Sequence, residues 1–204
     1  MSEKKKLRVL VGCEESGVVR DSFIAHGHNA WSNDLLPPRN GGAHLQTCVM
    51  DAIKNYGPWD IIILHPDCTA LSVSGNRWYG RGTEGYQKRL DAISWTMGLW
   101  ELAKTHARIG VCLENPVGVL FHHLSGVLQY VQPYDFGHGE TKKTGLMLHG
   151  LPKLLPTNKV PGRANRVWRM PPSKNRKRDR SETYQGIAKA MAEQWGDLCQ
   201  NKMD

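Results

Sequence analysis

The sequence predicts an α/β protein: a mostly parallel sheet with helices on both faces and a terminal antiparallel hairpin. Three observations carry that expectation. Short apolar, β-rich runs each finish on polar residues, helical stripes separate them, and the pattern changes after Pro116. Residues 7–12, LRVLVG, read as the first strand behind the charged head SEKKK. Gly12-Cys13-Glu14-Glu15-Ser16-Gly17 then makes a Gly-rich turn into VVRDSFIAHG, where Val18, Val19, Phe23 and Ile24 recur at helical spacing and Gly27 fits a C-cap. A second strand, 29–33, ends on Asp34, and a third short element ends near Asp51. The fourth strand is IIIL, residues 61–64, which runs straight into His65-Pro66-Asp67-Cys68.

From Tyr86 to His106 a long helix is expected, with Leu90, Ile93, Met97, Trp100, Leu102 and Ala103 as its apolar stripe and Gly98 as its weakest point. Strand five covers 109–113 within RIGVCLENP. Beyond Pro116, the apolar pieces 128–131 and 146–148 flank DFGHGETKKTG and suit a hairpin. The last element, GIAKAMAEQWGDLC, is an amphipathic helix carrying Ile187, Met191 and Trp195.

A length of 204 residues suits one domain, 1–204, with a Pro- and Arg-rich arm at 152–181 and a C-terminal helix at 183–199 that packs back on the body. The arm is too poor in apolar residues to build its own core. Five cysteines with no CxxC pair, and no apolar leader-like run at the start, point to a reducing, cytoplasmic setting. No apolar stretch approaches the roughly 20 residues that cross a bilayer, so no membrane partner is expected. No zinc-like spacing exists, so no metal is expected, and His122 and His123 read as ordinary helix residues.

The net charge of +8 is localised. Between Lys159 and Arg180 stand nine Lys or Arg and one Asp, which leaves the rest with 18 basic and 18 acidic residues. A neutral body with one basic arm suits a polyanion, because cations that neutralise phosphates release counterions; a solvated loop has the same composition.

In a parallel α/β sheet, ligands bind beyond the carboxyl ends of the strands. Glu14, Asp34, Asp51, Cys68 and Glu114 would all reach that edge. A Gly-rich turn opening a helix lets backbone N–H groups approach a ligand, and an acid after strand two can take a ribose diol. G-C-E-E-S-G is not GxGxxG, and its two acids would repel a pyrophosphate. A nucleoside cofactor with a positive centre and no phosphates fits better. Cys68 follows a stiffening proline at a strand end, where a thiol of lowered pKa could attack an electrophile. Glu114 lies one strand further along and could hold or protonate a ring nitrogen while the thiolate attacks. Packing alone would also account for a lone cysteine, and Glu114 could instead cap a helix over VGVLFHHL.

The order GCEESG, Asp34, Asp51, HPDCTAL, LENP and a final GIAKAMA helix resembles the cytosine-5 DNA methyltransferases, and more closely the short phage and prophage proteins of that family, with their VGCEESG, HPxCT, ENP, FGHGETKxTGL and RxxRM elements. The likeness runs from about Leu7 to Gly196. It implies a Rossmann-like S-adenosyl-L-methionine-dependent methyltransferase fold and methyl transfer to carbon 5 of a cytosine in DNA, flipped out of its stack. It further implies that Cys68 attacks carbon 6 and that Glu114 contacts ring nitrogen 3 and the amino group. Gly12, Cys13, Glu14, Ser16 and Gly17 would surround the methionine part of the cofactor, with Asp34 near the ribose and Asp51 near the adenine. Pro66 and Gly186 would complete that pocket. Where the larger enzymes have Pro-Cys, this chain has Pro66-Asp67-Cys68, and an ionised Asp67 would raise the thiol pKa. Glu140-Thr141-Lys142-Lys143 matches the family's Arg-rich strand only loosely and is assigned no catalytic role.

The larger enzymes carry a separate target-recognition domain, for which this chain has no room. Base readout would fall to the loop 76–86, through Arg77, Trp78 and Arg81, or to the arm, through Arg163, Arg166, Arg169, Lys174, Arg176 and Arg178, mixing cations and aromatics as strand-binding surfaces do. Two other functions stay open on sequence alone: a DNA-binding protein that masks sites without turnover, and an enzyme modifying a pyrimidine in RNA or a free nucleotide.

Overall fold

The computed structural model describes residues 5–198. Cys199, the last residue of the expected C-terminal helix, and the first part of the charged head lie outside the described residues. Seven strands, β1 (Arg8–Gly12), β2 (Asn29–Asp34), β3 (His44–Gln46), β4 (Trp59–Leu64), β5 (Ala107–Pro116), β6 (Val127–Val131) and β7 (Thr144–His149), form one sheet in the order β3-β2-β1-β4-β5-β7-β6. The first five are parallel and β7 runs antiparallel to both β5 and β6. The helices are α1 (Val18–Ala25), α2 (Val49–Asn55), α3 (Asn76–Tyr79), α4 (Tyr86–His106), α5 (Arg166–Arg169), α6 (Arg176–Ser181) and α7 (Gln185–Gly196). The parallel sheet, flanking helices and terminal hairpin are those the sequence predicts.

Alternation within the strands explains the apolar runs. Val9, Val11, Ile61 and Ile63 face α1 and α7, whereas Leu10, Ile62 and Leu64 face α2 and α4, so both faces are covered and every position must be apolar. The expected face of α7 is buried: Ile187, Met191 and Trp195, whose indole N–H donates to the Pro152 carbonyl at 2.9 Å and ties the helix to the start of the arm.

Some boundaries and faces differ from expectation. The third element is a strand at His44–Gln46, and Asp51 lies in the first turn of α2, exposed, rather than at a strand end. Ile24 is exposed on α1. Helix α4 buries Arg89, Ile93, Thr96, Leu99, Trp100 and Ala103 and leaves Leu90 and Met97 partly in solvent, so its inner face is rotated from the expected stripe. Two polar groups on that inner face bond locally: the Arg89 Nε–H donates to the Ala70 carbonyl at 2.7 Å, although Arg89 Nη2 is buried without a partner among the described residues, and the Thr96 hydroxyl donates to the Ala92 carbonyl at 2.7 Å. His122 and His123 end a short 3-10 turn, Leu120–His123. No helix among the described residues is long and apolar enough to cross a membrane.

Candidate active site

The turn after β1 is held in an uncommon backbone conformation. Cys13 has φ 59°, in the left-handed region that side chains other than glycine rarely adopt, and Gly17 has φ 77° immediately before α1. Glycine is required at 17, because a Cβ there would meet the Arg20 guanidinium at 2.4 Å. Arg20 is buried and binds Ser32 Oγ at 2.9 Å and Asn40 Oδ1 at 2.8 Å, so α1, β2 and the loop after it are one unit. Arg39 pairs with Glu15 at 2.8 Å and with Glu182 at 2.8 Å, linking the turn to the end of the arm.

Within that turn Glu14 and Ser16 are buried, and the Ser16 hydroxyl donates to Glu14 Oε1. The second oxygen, Glu14 Oε2, is buried without a hydrogen-bond partner among the described residues, as is Asn33 Oδ1 at the end of β2. Buried acceptors left unpaired cost roughly 1–3 kcal/mol each, so they mark places where a ligand would supply donors. An anionic oxygen beside the turn suits a cationic group. Asp34, half-buried next to Asn33, accepts the Leu36 N–H through Oδ1 at 3.0 Å and suits a hydroxyl pair. The acceptors therefore fit a nucleoside cofactor with a positive centre. Gly12 ends β1 against Val49 and Leu64, and Pro66 is buried with its carbonyl accepting from Asn115 Nδ2 at 3.2 Å. Asp51 is exposed in the first turn of α2, which follows β3 in the chain.

Strand register sets the next cluster. Leu64 pairs with Leu113, so the residues that follow, His65 and Glu114, are neighbours, and His65 Nδ1 lies 3.1 Å from Glu114 Oε2. Glu114 is inside β5 and caps no helix. Burial works to raise its carboxyl, but the hydrogen bond and charge of His65 and the charge of Lys142 outweigh it and hold Glu114 below the ordinary carboxylate range. Cys68 sits in a tight turn in which Asp67 Oδ1 accepts the Thr69 N–H at 2.9 Å and hydroxyl at 2.6 Å, while the Cys68 carbonyl accepts from Leu71 and Ser72. Its thiol is pushed up, chiefly by burial, then by the charges of Glu114 and Asp67; its own backbone amide and Lys142 oppose this. The effect of Asp67 is the one its position predicts. A thiol activated by its surroundings alone is not what the fold provides: at neutral pH Cys68 carries its proton.

Lys142 was assigned no role from sequence, yet its charge acts on both Glu114 and Cys68. Burial lowers its own pKa, and Glu114, ahead of Cys68 and Glu182, pulls it back up. Its Nζ donates to the Glu182 carbonyl at 2.9 Å. The space bounded by Glu114, Lys142, Thr144 and Tyr184 is about 10 Å³, about one water's worth, so a pyrimidine ring needs the root of the arm to shift. That root is latched: the Tyr184 hydroxyl donates to Glu140 Oε2 at 2.7 Å, and Arg166 pairs with the same buried carboxylate. The burial of Glu140 would raise its carboxyl, but Arg166 and Tyr184 hold it below its ordinary value. Gly186 packs against the loop between β6 and β7, its N–H donating to His138 Nε2 at 3.0 Å.

The expected nucleic-acid residues are spread over two surfaces. Arg77 and Trp78 are exposed on α3, the guanidinium 5.1 Å from the indole centroid, and Arg81 is exposed just beyond. On the arm, Arg163 stacks on Tyr134 at 3.6 Å, Arg176 donates to the Met170 carbonyl at 2.8 Å, and Arg178 pairs with Asp179 at 3.4 Å. Arg169 and Lys174 are exposed. Among the described residues no cluster of His, Cys, Asp or Glu is arranged to hold a metal ion.

Sequence reasoning missed His65, Asn33, Lys142 and Tyr184. His65 could have been found by registering IIIL against GVCL, which sets His65 beside Glu114; Lys142 and Tyr184 depend on the β5–β7 pairing and on the path of the arm.

No protein-family model matches the sequence, and no curated protein does. Solved structures share the fold. A protein described as a DNA modification methyltransferase encoded within an E. coli prophage superposes with a TM-score of 0.52 at 14% identity, over 76% of this chain and 52% of that one. The Entamoeba histolytica methyltransferase EhMeth gives 0.52 at 13% identity, over 76% and 58%. This chain spans just over half the length of those proteins, and at such identity the likeness is one of fold.

Proposed function

We propose that this protein transfers a methyl group from S-adenosyl-L-methionine to carbon 5 of a cytosine in DNA, with Cys68 as nucleophile and Glu114 as the group that binds ring nitrogen 3. The observation that carries this reading is the meeting of Cys68, Glu114, His65 and Lys142 at the carboxyl ends of β4 and β5, with the unpaired acceptors Glu14 one strand away, after β1, and Asn33 two strands away, on β2. The names of the two structural neighbours, a DNA modification methyltransferase and a methyltransferase, support the same reading.

The bound cofactor would supply an electrophilic methyl on a sulfonium centre. Glu14, Asn33 and Asp34 would hold its ammonium and ribose groups, with Gly12, Cys13, Ser16, Gly17, Pro66 and Gly186 shaping the pocket. The Cys68 Sγ adds to carbon 6 and its proton passes through the Glu114 carboxylate to nitrogen 3, which makes carbon 5 nucleophilic. Lys142 stabilises the thiolate as it forms, and His65 orients the carboxyl. Methyl transfer would leave the cofactor as a neutral thioether; a base then removes the carbon 5 proton, the bond from sulfur to carbon 6 breaks, and the nitrogen 3 proton returns through Glu114 to the sulfur, restoring the Cys68 thiol.

The test is incorporation of tritiated methyl into DNA. Cys68→Ser should abolish it, and Glu114→Gln should lower it by about 100-fold or more, the scale of one acid–base group. Equal incorporation by wild type and both variants would remove the mechanism. Salt-sensitive DNA binding with no affinity for S-adenosyl-L-methionine in calorimetry would instead favour the masking function, and preferential methylation of RNA or free nucleotide would redirect the substrate.

A further inference from the structure

Beside the nucleophile, on the face of the sheet covered by α4, lies a groove of about 410 Å³ bounded by Asp67, Thr69, Tyr79, Lys88, Asp91 and Trp95. The proposed reaction leaves it unused. Its volume falls within the roughly 300–1,000 Å³ of small-ligand clefts. One wall is the turn that carries Cys68, since Asp67 and Thr69 flank that residue in the chain, so anything in the groove sits next to the reacting base. The opposite wall is α4, braced to the same turn by the bond from Arg89 to the Ala70 carbonyl at 2.7 Å.

The lining has the chemistry of a base site. Trp95 keeps 42% of its surface exposed on α4, whereas the other tryptophan of that helix, Trp100, is fully buried. An exposed indole facing a cleft is a stacking platform, and every nucleobase has a π-face to offer it. Around that platform stand the Lys88 ammonium, the Tyr79 hydroxyl and the Asp67 and Asp91 carboxylates; Oδ1 of Asp67 accepts from Thr69 and Oδ1 of Asp91 from Gln87 Nε2 at 2.8 Å, and each carboxylate has a second oxygen. Lys88 makes no hydrogen bond or ion pair among the described residues. Two carboxylates against one ammonium do not make a phosphate site; they match a base edge that presents amino hydrogens together with a carbonyl or ring nitrogen.

We infer that this groove holds the unpaired nucleobase next to the target cytosine, stacked on Trp95. The inference rests on the methyltransferase reading and sharpens it. A base that stacks in the groove cannot at the same time stay paired in a duplex, so the strand at the site is single. This groove is then the place where the neighbour of the target is read. Guanine, adenine and cytosine carry amino groups for the carboxylates and thymine does not, so thymine is the disfavoured neighbour.

The experiment uses the full chain and a single-stranded oligonucleotide with one cytosine, in which an abasic position is moved through the two nucleotides on either side. Affinity is read by fluorescence anisotropy and methyl transfer by tritium on the same oligonucleotides. An abasic position at one of the two immediate neighbours should weaken binding by wild type about tenfold, and by Trp95→Leu less than twofold. Asp91→Asn should keep the stacking and lose the discrimination against thymine, and a fully paired duplex should compete poorly. If wild type binds and methylates with no sensitive neighbour, or if Trp95→Leu keeps the sensitivity, the groove is not a base site while the reaction stands. A sensitive neighbour without methyl transfer would keep the groove and remove the reaction. No binding of any oligonucleotide would remove both.

Discussion

The thiol of Cys68 is held protonated by its own surroundings, which makes its neighbours testable one at a time. Asp67 raises it, so Asp67→Asn should shift alkylation of Cys68 by iodoacetamide to lower pH, read by mass spectrometry of the Cys68 peptide; an unchanged profile would mean that the carboxylate does not act on the sulfur. His65 acts in the opposite sense on Glu114: its hydrogen bond and charge hold that carboxyl low. In the proposed reaction Glu114 must begin ionised to receive the sulfur's proton, so activity falls where the carboxyl protonates. His65→Ala should therefore move the acid limb of the pH–rate profile to higher pH, whereas a residue needed only for folding would lower the plateau and leave the limb in place. Cys13 supplies a stability prediction. Burial, ahead of the nearby Asp34, Cys48 and Asp67 charges, pushes it up to about 12, from an ordinary value of 9.0. The unfolded chain releases this proton from about pH 9 upward while the folded chain keeps it, so the stability Cys13 contributes is full below pH 9 and lost as pH rises towards 12. Urea midpoints measured across that range should fall less steeply in Cys13→Ala than in wild type.

Between strands and helices, what could be read from sequence was whatever a local pattern determines. The run IIIL and the LRVLVG strand are apolar at every position because both faces of the sheet are covered, and their ends could be placed to within a residue or two. That was enough to bring Cys68 and Glu114 to one edge. The inner face of α4 differs from the expected stripe because Arg89 and Thr96 point inward, where each donates to a backbone carbonyl, and hydropathy gives no sign of that. Lys142 was overlooked because it precedes β7, and only the long-range pairing of Asn115 with Gly145 and of Pro116 with Thr144 carries it to Glu114. The start of α7 shows how tight that long-range fit is. A Cβ on Gly186 would lie 1.8 Å from the Phe136 carbonyl oxygen, a backbone atom that cannot swing aside. Gly186→Ala should therefore cost about 1–3 kcal/mol, the range for forced backbone shifts in a packed site, and appear as a lower urea midpoint at unchanged slope. A stability equal to wild type would mean that α7 is free to move away from the loop between β6 and β7.

Across the whole molecule the charge is divided between a neutral body and the segment Lys159–Arg180, and the structure refines which of those cations remain for a partner. Arg166 is spent on Glu140 and Arg178 faces Asp179, while Arg169 and Lys174 stand exposed. The arm is anchored at its root, where Glu182 meets Arg39 and Lys142 and Tyr184 meets Glu140, so a strand drawn along the arm is led to the Glu114 pocket. If the arm tracks phosphates, affinity for single strands should fall with salt at a slope of about 0.7 logarithmic units per phosphate neutralised. Removing two exposed cations together, in Arg169→Ala/Lys174→Ala, should then flatten that slope by about 1.4 and weaken binding alike for every sequence, since phosphate contacts position a strand without reading it. Trp95→Leu should do the reverse, leaving the slope as it was and erasing the dependence on the neighbouring base. A double variant that keeps the wild-type slope would show that the arm does not lie along the phosphates, and the steering of the strand would then have to come from Arg77 and Arg81 beside the groove.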